Sequence, residues 1–282
     1  YYPSGKIKEK GNSVCEFGKD FDCNINKRIR YYENSNIEEI ANFKYGGYDR
    51  INYNGKYLYY HKNGNLAISC RYKMGNLNGT KKVYSENGIL IEKIQYKNNL
   101  IDGKHITYFE DTGMIKSYER YKKGILDGNC VYYYNNGKKE LEGTYSNGLK
   151  NGKFISYYDN GQVSNICDFI ENKKFGVETR FFRNGVKSME ATWGGDMLHG
   201  ISSFYNEEGK LVETKLYRKG ILEEQKIYYL NGKIKQIIYP LTNTIKNFDE
   251  KGKVISVESN IKNNNQHQDE YQYDYQNQEE YE

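Results

Sequence analysis

Along this chain the apolar residues alternate. Leu66, Ile68, Cys70 and Tyr72 fall on every second position, as do Val163, Cys167 and Phe169. On the preceding runs Ile106 and Tyr108, and Ile155 and Tyr157, do the same. A period of two marks strands with one buried face, because successive side chains of a strand point to opposite sides. Between these runs stand Asn63-Gly64, Asn87-Gly88, Asn136-Gly137, Asn160-Gly161, Asn184-Gly185 and Asn231-Gly232. Asn-Gly between strand-like runs is the strongest short-range hairpin signal, and it predicts type I′ turns with positive φ at both central residues. A second turn carries Gly75, Asn99, Gly124, Gly148, Asn172, Asp196 and Gly220, all residue types that tolerate the left-handed region.

The turns keep register. Glycines at 55, 79, 103, 128, 152, 176 and 200 recur every 24 or 25 residues, and each is followed five positions later by Tyr or Phe, from Tyr60 to Tyr205. A second glycine series, from Gly64 to Gly209, is followed eight positions later by Tyr72, Tyr96, Tyr121, Tyr145, Phe169, Trp193 and Tyr217. Each unit is then a strand, a tight turn, a return strand and a linking turn. About ten such units of about 24 residues predict an all-β, elongated, single-layer antiparallel β-hairpin array, advancing about 10 Å per unit. Four segments follow: degenerate N-terminal repeats over 1–54 with extra sequence from Lys44 to Tyr53, seven regular repeats over 55–223, degenerate C-terminal repeats over 224–258, and an acidic Asn/Gln/Tyr-rich tail over 259–282 that reads as disordered. Pro240 falls in a return strand, where it removes a ladder donor and suits an edge.

Composition supports this reading. Tyr supplies 31 residues, Gly 28 and Pro 2, a balance that favours strands and turns. The net charge of +5 is uneven: residues 261–282 hold one Lys and six acids, leaving +10 on the remainder. A basic body attracts acidic partners or anionic lipid. Only eight Arg and no RNA-binding motif argue against nucleic acid. No apolar run reaches the length of a transmembrane helix. The chain opens on Tyr1 rather than Met, which reads as a trimmed N-terminus and leaves a lost signal peptide, with a periplasmic or surface location, open.

A unit such as Gly152-Lys153-Phe154-Ile155-Ser156-Tyr157-Tyr158-Asp159-Asn160-Gly161-Gln162-Val163 resembles the variant MORN repeat, G-K-x-x-x-Y-Y-x-N-G-x-L. That variant is common in bacterial proteins, including those labelled YwqK-family antitoxins, and in large DNA viruses. The resemblance covers roughly residues 1–258. It implies a β-hairpin array used for protein contacts or, in some eukaryotic relatives, phospholipid contacts.

Catalytic chemistry finds little support. His61, His105, His199 and His267 occupy different positions in the unit, so the repeat does not converge them on a metal. Cys70 and Cys167 share a unit position and read as small buried thiols. Cys15 and Cys23 flank Gly18-Lys19-Asp20 and are spaced for a local disulfide in an oxidising compartment. No catalytic residue, cofactor site or metal site is expected. The reading places the Tyr60-to-Tyr205 series on the buried face and leaves Tyr57, Tyr59, Phe109, Tyr132, Tyr134, Phe154, Tyr158, Phe182 and Phe204 on the other, as a partner-binding strip. The expected function is a non-catalytic protein-interaction or scaffold module. The alternatives are a peripheral phospholipid binder and an antitoxin-type protein that binds a toxin.

Overall fold

The computed structural model describes residues 1–12, 26–46 and 50–259. Cys15, Cys23 and the tail beyond Ser259 lie outside the described residues. The chain divides into two compact units, Tyr1–Val186 and Lys187–Glu282. Among the described residues the first holds seventeen strands and the second eight, and the sole helical turn is a 3-10 turn at Pro240–Thr242. Within each unit strand follows strand as an antiparallel meander. In the first, Gly152–Tyr157 pairs with Val163–Ile170, which pairs with Lys173–Phe181. In the second, Gly200–Tyr205 pairs with Leu211–Arg218, which pairs with Ile221–Tyr228. The extra sequence after Phe43 lengthens one hairpin, whose strands Ile37–Gly46 and Arg50–Tyr60 pair Phe43 with Tyr53 and Gly46 with Arg50.

The two turn types are the reverse of the expectation. In the hairpin turns a single residue has positive φ, Ser35 (+73°) in one and glycine in the others, as at Gly64 (+93°), while Asn63 does not. The Gly64 N–H donates to the His61 carbonyl and the His61 N–H to the Asn65 carbonyl. That is a type I turn closed by a left-handed residue, the three-residue hairpin loop. Asn is selected there for its side chain. Asn63 Oδ1 accepts the Asn65 N–H at 2.9 Å, and its Nδ2 donates to the carbonyl of Glu86, in the next turn, at 2.7 Å. Asn136 repeats the pattern toward Asp159, and Asn160 toward Arg183. The linking turns are the ones with two consecutive positive φ values, as at Lys123 (+52°) and Gly124 (+84°) or Asn98 (+51°) and Asn99 (+68°). Where Asn replaces the second glycine it adds a bond: Asn99 Oδ1 accepts the Leu77 N–H at 2.6 Å, and the Asn99 N–H returns to the Leu77 carbonyl at 3.0 Å.

A β-bulge recurs once per hairpin. Tyr59 pairs with Ile68 and Tyr60 with Leu66, which leaves Ala67 unpaired and buried. The same shift lies between Tyr132 and Tyr133 and between Ser156 and Tyr157. Such an insertion bends the strand and raises its twist. The unit-opening Gly128 (φ +121°) lies opposite Tyr145, and a Cβ there would stand 3.1 Å from the Arg120 side chain. At the C-terminal side the return strand Ile234–Tyr239 stops before Pro240, so the proline starts the 3-10 turn and lies outside the strand. Its missing N–H costs nothing at the first position of a helical turn.

Candidate binding surface

Register decides which face is buried. Tyr57 pairs with Cys70, Cys130 with Gly143 and Phe154 with Cys167, so these side chains share a face. Cys130 and Cys167 are fully buried and Phe154 is 4% exposed. The Phe154 ring lies over Gly143, where a Cβ would stand 2.4 Å from the ring. Tyr145 and Phe169 meet it edge-on at 5.5 and 5.2 Å, and Lys150 sits 5.2 Å from its centroid. At the N-terminal end Tyr53, Tyr57 and Tyr72 form a second ring cluster on that face. In the second unit Ala191 and Ser202 are buried, and Phe204 pairs with Met189.

This face also buries carboxylates, each held by partners. Glu39 accepts from Arg28 at 2.7 Å, with Tyr57 Oη at 3.4 Å. Glu178, 1% exposed, is held by Lys174 at 3.0 Å and Arg180 at 2.9 Å. Burial alone would raise its pKa, but the two cations outweigh it and hold the carboxyl below the usual range. Glu119 accepts from Tyr132 at 2.5 Å and Tyr121 at 3.0 Å. His105 lies between Glu92 (2.8 Å) and Glu119 (3.3 Å).

Burial pushes the thiols of Cys70 and Cys167 up to about 11. Burial, and then the hydrogen bonds to Glu119 and Glu142, push Tyr121 and Tyr157 up to about 12. Such thiols are mostly protonated at neutral pH and are poor nucleophiles. A group whose folded pKa is raised contributes stability that is fully present below its unfolded pKa, about 8.5 for a thiol and about 10 for a phenol. That stability is lost as pH climbs through the folded values. The urea midpoint is therefore expected to hold up to about pH 8.5 and to fall steadily toward pH 11–12. A midpoint that stays flat over that range would contradict the burial of these groups.

The nine aromatic residues singled out as a strip separate into two sets. Tyr57, Tyr59, Tyr132 and Phe154 of the first unit lie on the face of the buried cysteines, and Phe154 is core. Phe204 takes the equivalent place in the second unit. Phe109, Tyr134, Tyr158 and Phe182 instead open the hairpin turns. There the hydroxyl of Tyr134 donates to the Tyr157 carbonyl and that of Tyr158 to the Phe181 carbonyl, both at 2.7 Å. Each ties its unit to the next. Conversely, Tyr133 and Tyr157, expected on the buried face, project to the opposite side and are half-buried. Tyr157 donates to Glu142 there at 2.5 Å.

Sequence alternation missed a further surface. The residue after each linking turn is apolar in several units. Leu100 and Ile125 are each 50% exposed and Leu149 is 38% exposed. A Cβ on Gly124 would lie 3.7 Å from Leu100, and one on Gly148 3.5 Å from Ile125, so each side chain rests against the next turn. The signal was present as an apolar residue directly after Asn99, Gly124 and Gly148. Met197 and Ile221 hold the corresponding place in the second unit and are also exposed.

Among the described residues no three His, Cys, Asp or Glu side chains converge to hold a metal ion, and no helix is long and apolar enough to cross a membrane. No curated protein matches the chain. Solved structures with some likeness include a Photorhabdus luminescens Tc holotoxin pore (13% identity, 79% of this chain and 13% of that one, TM-score 0.20). Others are the TcdB2–TccC3–Cdc42 complex (10% identity, 91% and 16%, TM-score 0.21) and the TcdB2–TccC3 complex (9% identity, 90% and 20%, TM-score 0.20). This chain spans a fifth or less of each, and scores so low carry no weight for fold or function. The MORN repeat variant family matches at residues 26–45, 53–74, 77–98, 126–147, 150–171, 198–219 and 224–239. These stretches make up just over half of the chain, and each spans parts of the hairpins described above. The chain belongs to the MORN repeat variant family.

Proposed function

We propose that this protein is a non-catalytic protein-binding or scaffold module. The observation that supports it most directly is the row of Leu100, Ile125 and Leu149 along one edge of the first unit. The hydrogen bonds of the linking turns are complete without these side chains, as when the Gly124 N–H donates to the Ile101 carbonyl. Repeated exposed apolar groups at one position of successive units make a continuous contact line, and such lines mark interaction sites. A line of this kind suits apolar side chains of a protein better than lipid headgroups, which are polar. The half-buried rings of Tyr59 and Tyr132, three repeats apart, offer further aromatic contact points on the sheet face.

The test replaces Leu100, Ile125 and Leu149 together by Ser and compares melting with partner capture from the native source. The expected result is a melting temperature within a few degrees of the parent, and loss of a protein that the parent retains. Capture identical to the parent's would place the contact elsewhere. Collapse of the melting temperature would make the row a packing element.

A further inference from the structure

The face opposite the buried cysteines carries a second feature. In the hairpin formed by Arg50–Tyr60 and Leu66–Lys73, Lys56 lies directly across from Arg71. In the next hairpin, Gly79–Tyr84 and Leu90–Lys97, Lys82 lies across from Lys93. In the third, Leu100–Tyr108 and Ile115–Lys122, Lys104 lies across from Arg120. The pairings Ser69 with Lys82 and Lys93 with Ile106 carry one face through all six strands, so the six cations share it. Among the described residues none of the six makes an ion pair with a carboxylate.

Three consecutive like-charge pairs work against the fold, because like charges directly opposite one another on neighbouring strands are destabilising. The next units show the alternative. Lys153, equivalent to Lys56 and Lys104, lies across from Asp168 and forms an ion pair with it, and Lys139 pairs with Glu142. Neutralisation is thus available at these positions and is missing from three hairpins in succession. The six cations zigzag between two rows about 7 Å apart, over about 24 Å of sheet. The uncharged partners in those rows are Leu58 and Ser69, then Thr80 and Gln95, then Ile106 and Tyr118.

We propose that this strip is the docking site for an acidic segment of a protein partner, lying across the strands with its carboxylates against the three cation pairs. Charge complementarity is the main argument. The aliphatic and small polar residues between the pairs suit the side chains of a polypeptide. Within the two rows Tyr118 is the one ring; Tyr60, Tyr84 and Tyr108 stand one row further along the same face, and the oligonucleotide arm of the test separates base stacking on them from docking of an acidic segment. A bilayer would be met by unpaired cations spread over the whole face, whereas at Lys139 and Lys153 that face is neutralised. The inference rests on the reading of the chain as a protein-binding module but concerns a different surface from the Leu100 row.

The test uses the full chain and a fluorescent peptide alternating Glu with Ser over about twelve residues, a span that exceeds the strip. Binding is expected at low salt, falling as salt rises. Replacing Lys82 and Lys93 by Gln should weaken it about tenfold and leave the melting temperature equal to or above the parent's. A control of equal charge change, Lys210→Gln with Lys251→Gln, should leave the affinity within about twofold. The proposal is overturned if the peptide does not bind, if the control weakens binding as much as the strip variant, or if a thymidine oligonucleotide or phosphatidylserine vesicles bind more tightly through Lys82 and Lys93. If the strip fails while the Leu100 row variant loses its partner, the protein-binding reading stands without it.

Discussion

Replacing Phe154 by Ala is expected to cost about 3–5 kcal/mol, the range for removing a buried aromatic ring from a packed core. The ring is 4% exposed and is held by Gly143 beneath, by Tyr145 and Phe169 edge-on and by the Lys150 ammonium. Its loss also uncovers Cys167, which lies directly across from it. Little can move in to fill the space, because the neighbour beneath the ring is a glycine. Tyr133→Ala, by contrast, removes a half-buried ring from the opposite face and should cost about half as much or less. Urea denaturation of the two variants beside the parent makes the comparison. If Tyr133→Ala proves the more damaging, the buried face has been assigned wrongly.

The second large effect concerns whole and half units. Deleting Gly128 to Asn151 removes one complete repeat of 24 residues and joins Asp127 to Gly152. Ser117 then meets Ser156 in place of Tyr132, and each remaining strand keeps an antiparallel neighbour. The protein should stay folded, with a lower midpoint because Glu119 loses the hydrogen bond from Tyr132. Inserting about twelve residues after Asp127, roughly half a repeat, adds one strand and so reverses the direction in which the following units enter the sheet. It also separates the turns that Asn135 joins across the insertion point, where it donates to Asp111 and accepts from Thr112. That insertion should abolish the cooperative transition in the region it interrupts. Far-UV circular dichroism with thermal melts distinguishes the cases, and equal damage from both changes would refute stacking by whole units.

Much of this architecture is legible in the sequence because its signals are periodic. Glycine and aromatic series in constant register carry the strands, the places of the turns and the family resemblance in the sequence itself. Two errors share a physical origin in the backbone. Asn is accepted both where φ is positive and where a side-chain oxygen caps the turn, so Asn63-Gly64 reads equally as type I′ or as the type I turn with a left-handed glycine that is present. The bulge after Tyr59 adds one residue to the return strand, so alternation counted from Leu66 to Tyr72 crosses a change of face at Ala67. Counting back from Cys70 to its partner requires the register, and no single strand carries that information. The cation strip escapes a one-dimensional reading for the same reason: Lys82 and Lys93 are eleven positions apart in the chain and face each other only once the hairpin closes.

The exchange of turn types gives the first unit two chemically unlike margins. Along one margin run side-chain amides whose donors and acceptors are already committed to neighbouring turns, as at Asn63, Asn136 and Asn160. Along the other run Leu100, Ile125 and Leu149, with solvent over half of the first two and over 38% of the third. The first margin is self-satisfied and has little left to offer a neighbour, whereas the second is wetted against its preference. A sheet so edged is lateralised: whatever approaches it meets a left side and a right side of opposite appetite, and with the chain direction fixed, that asymmetry sets the orientation in which a partner is accepted.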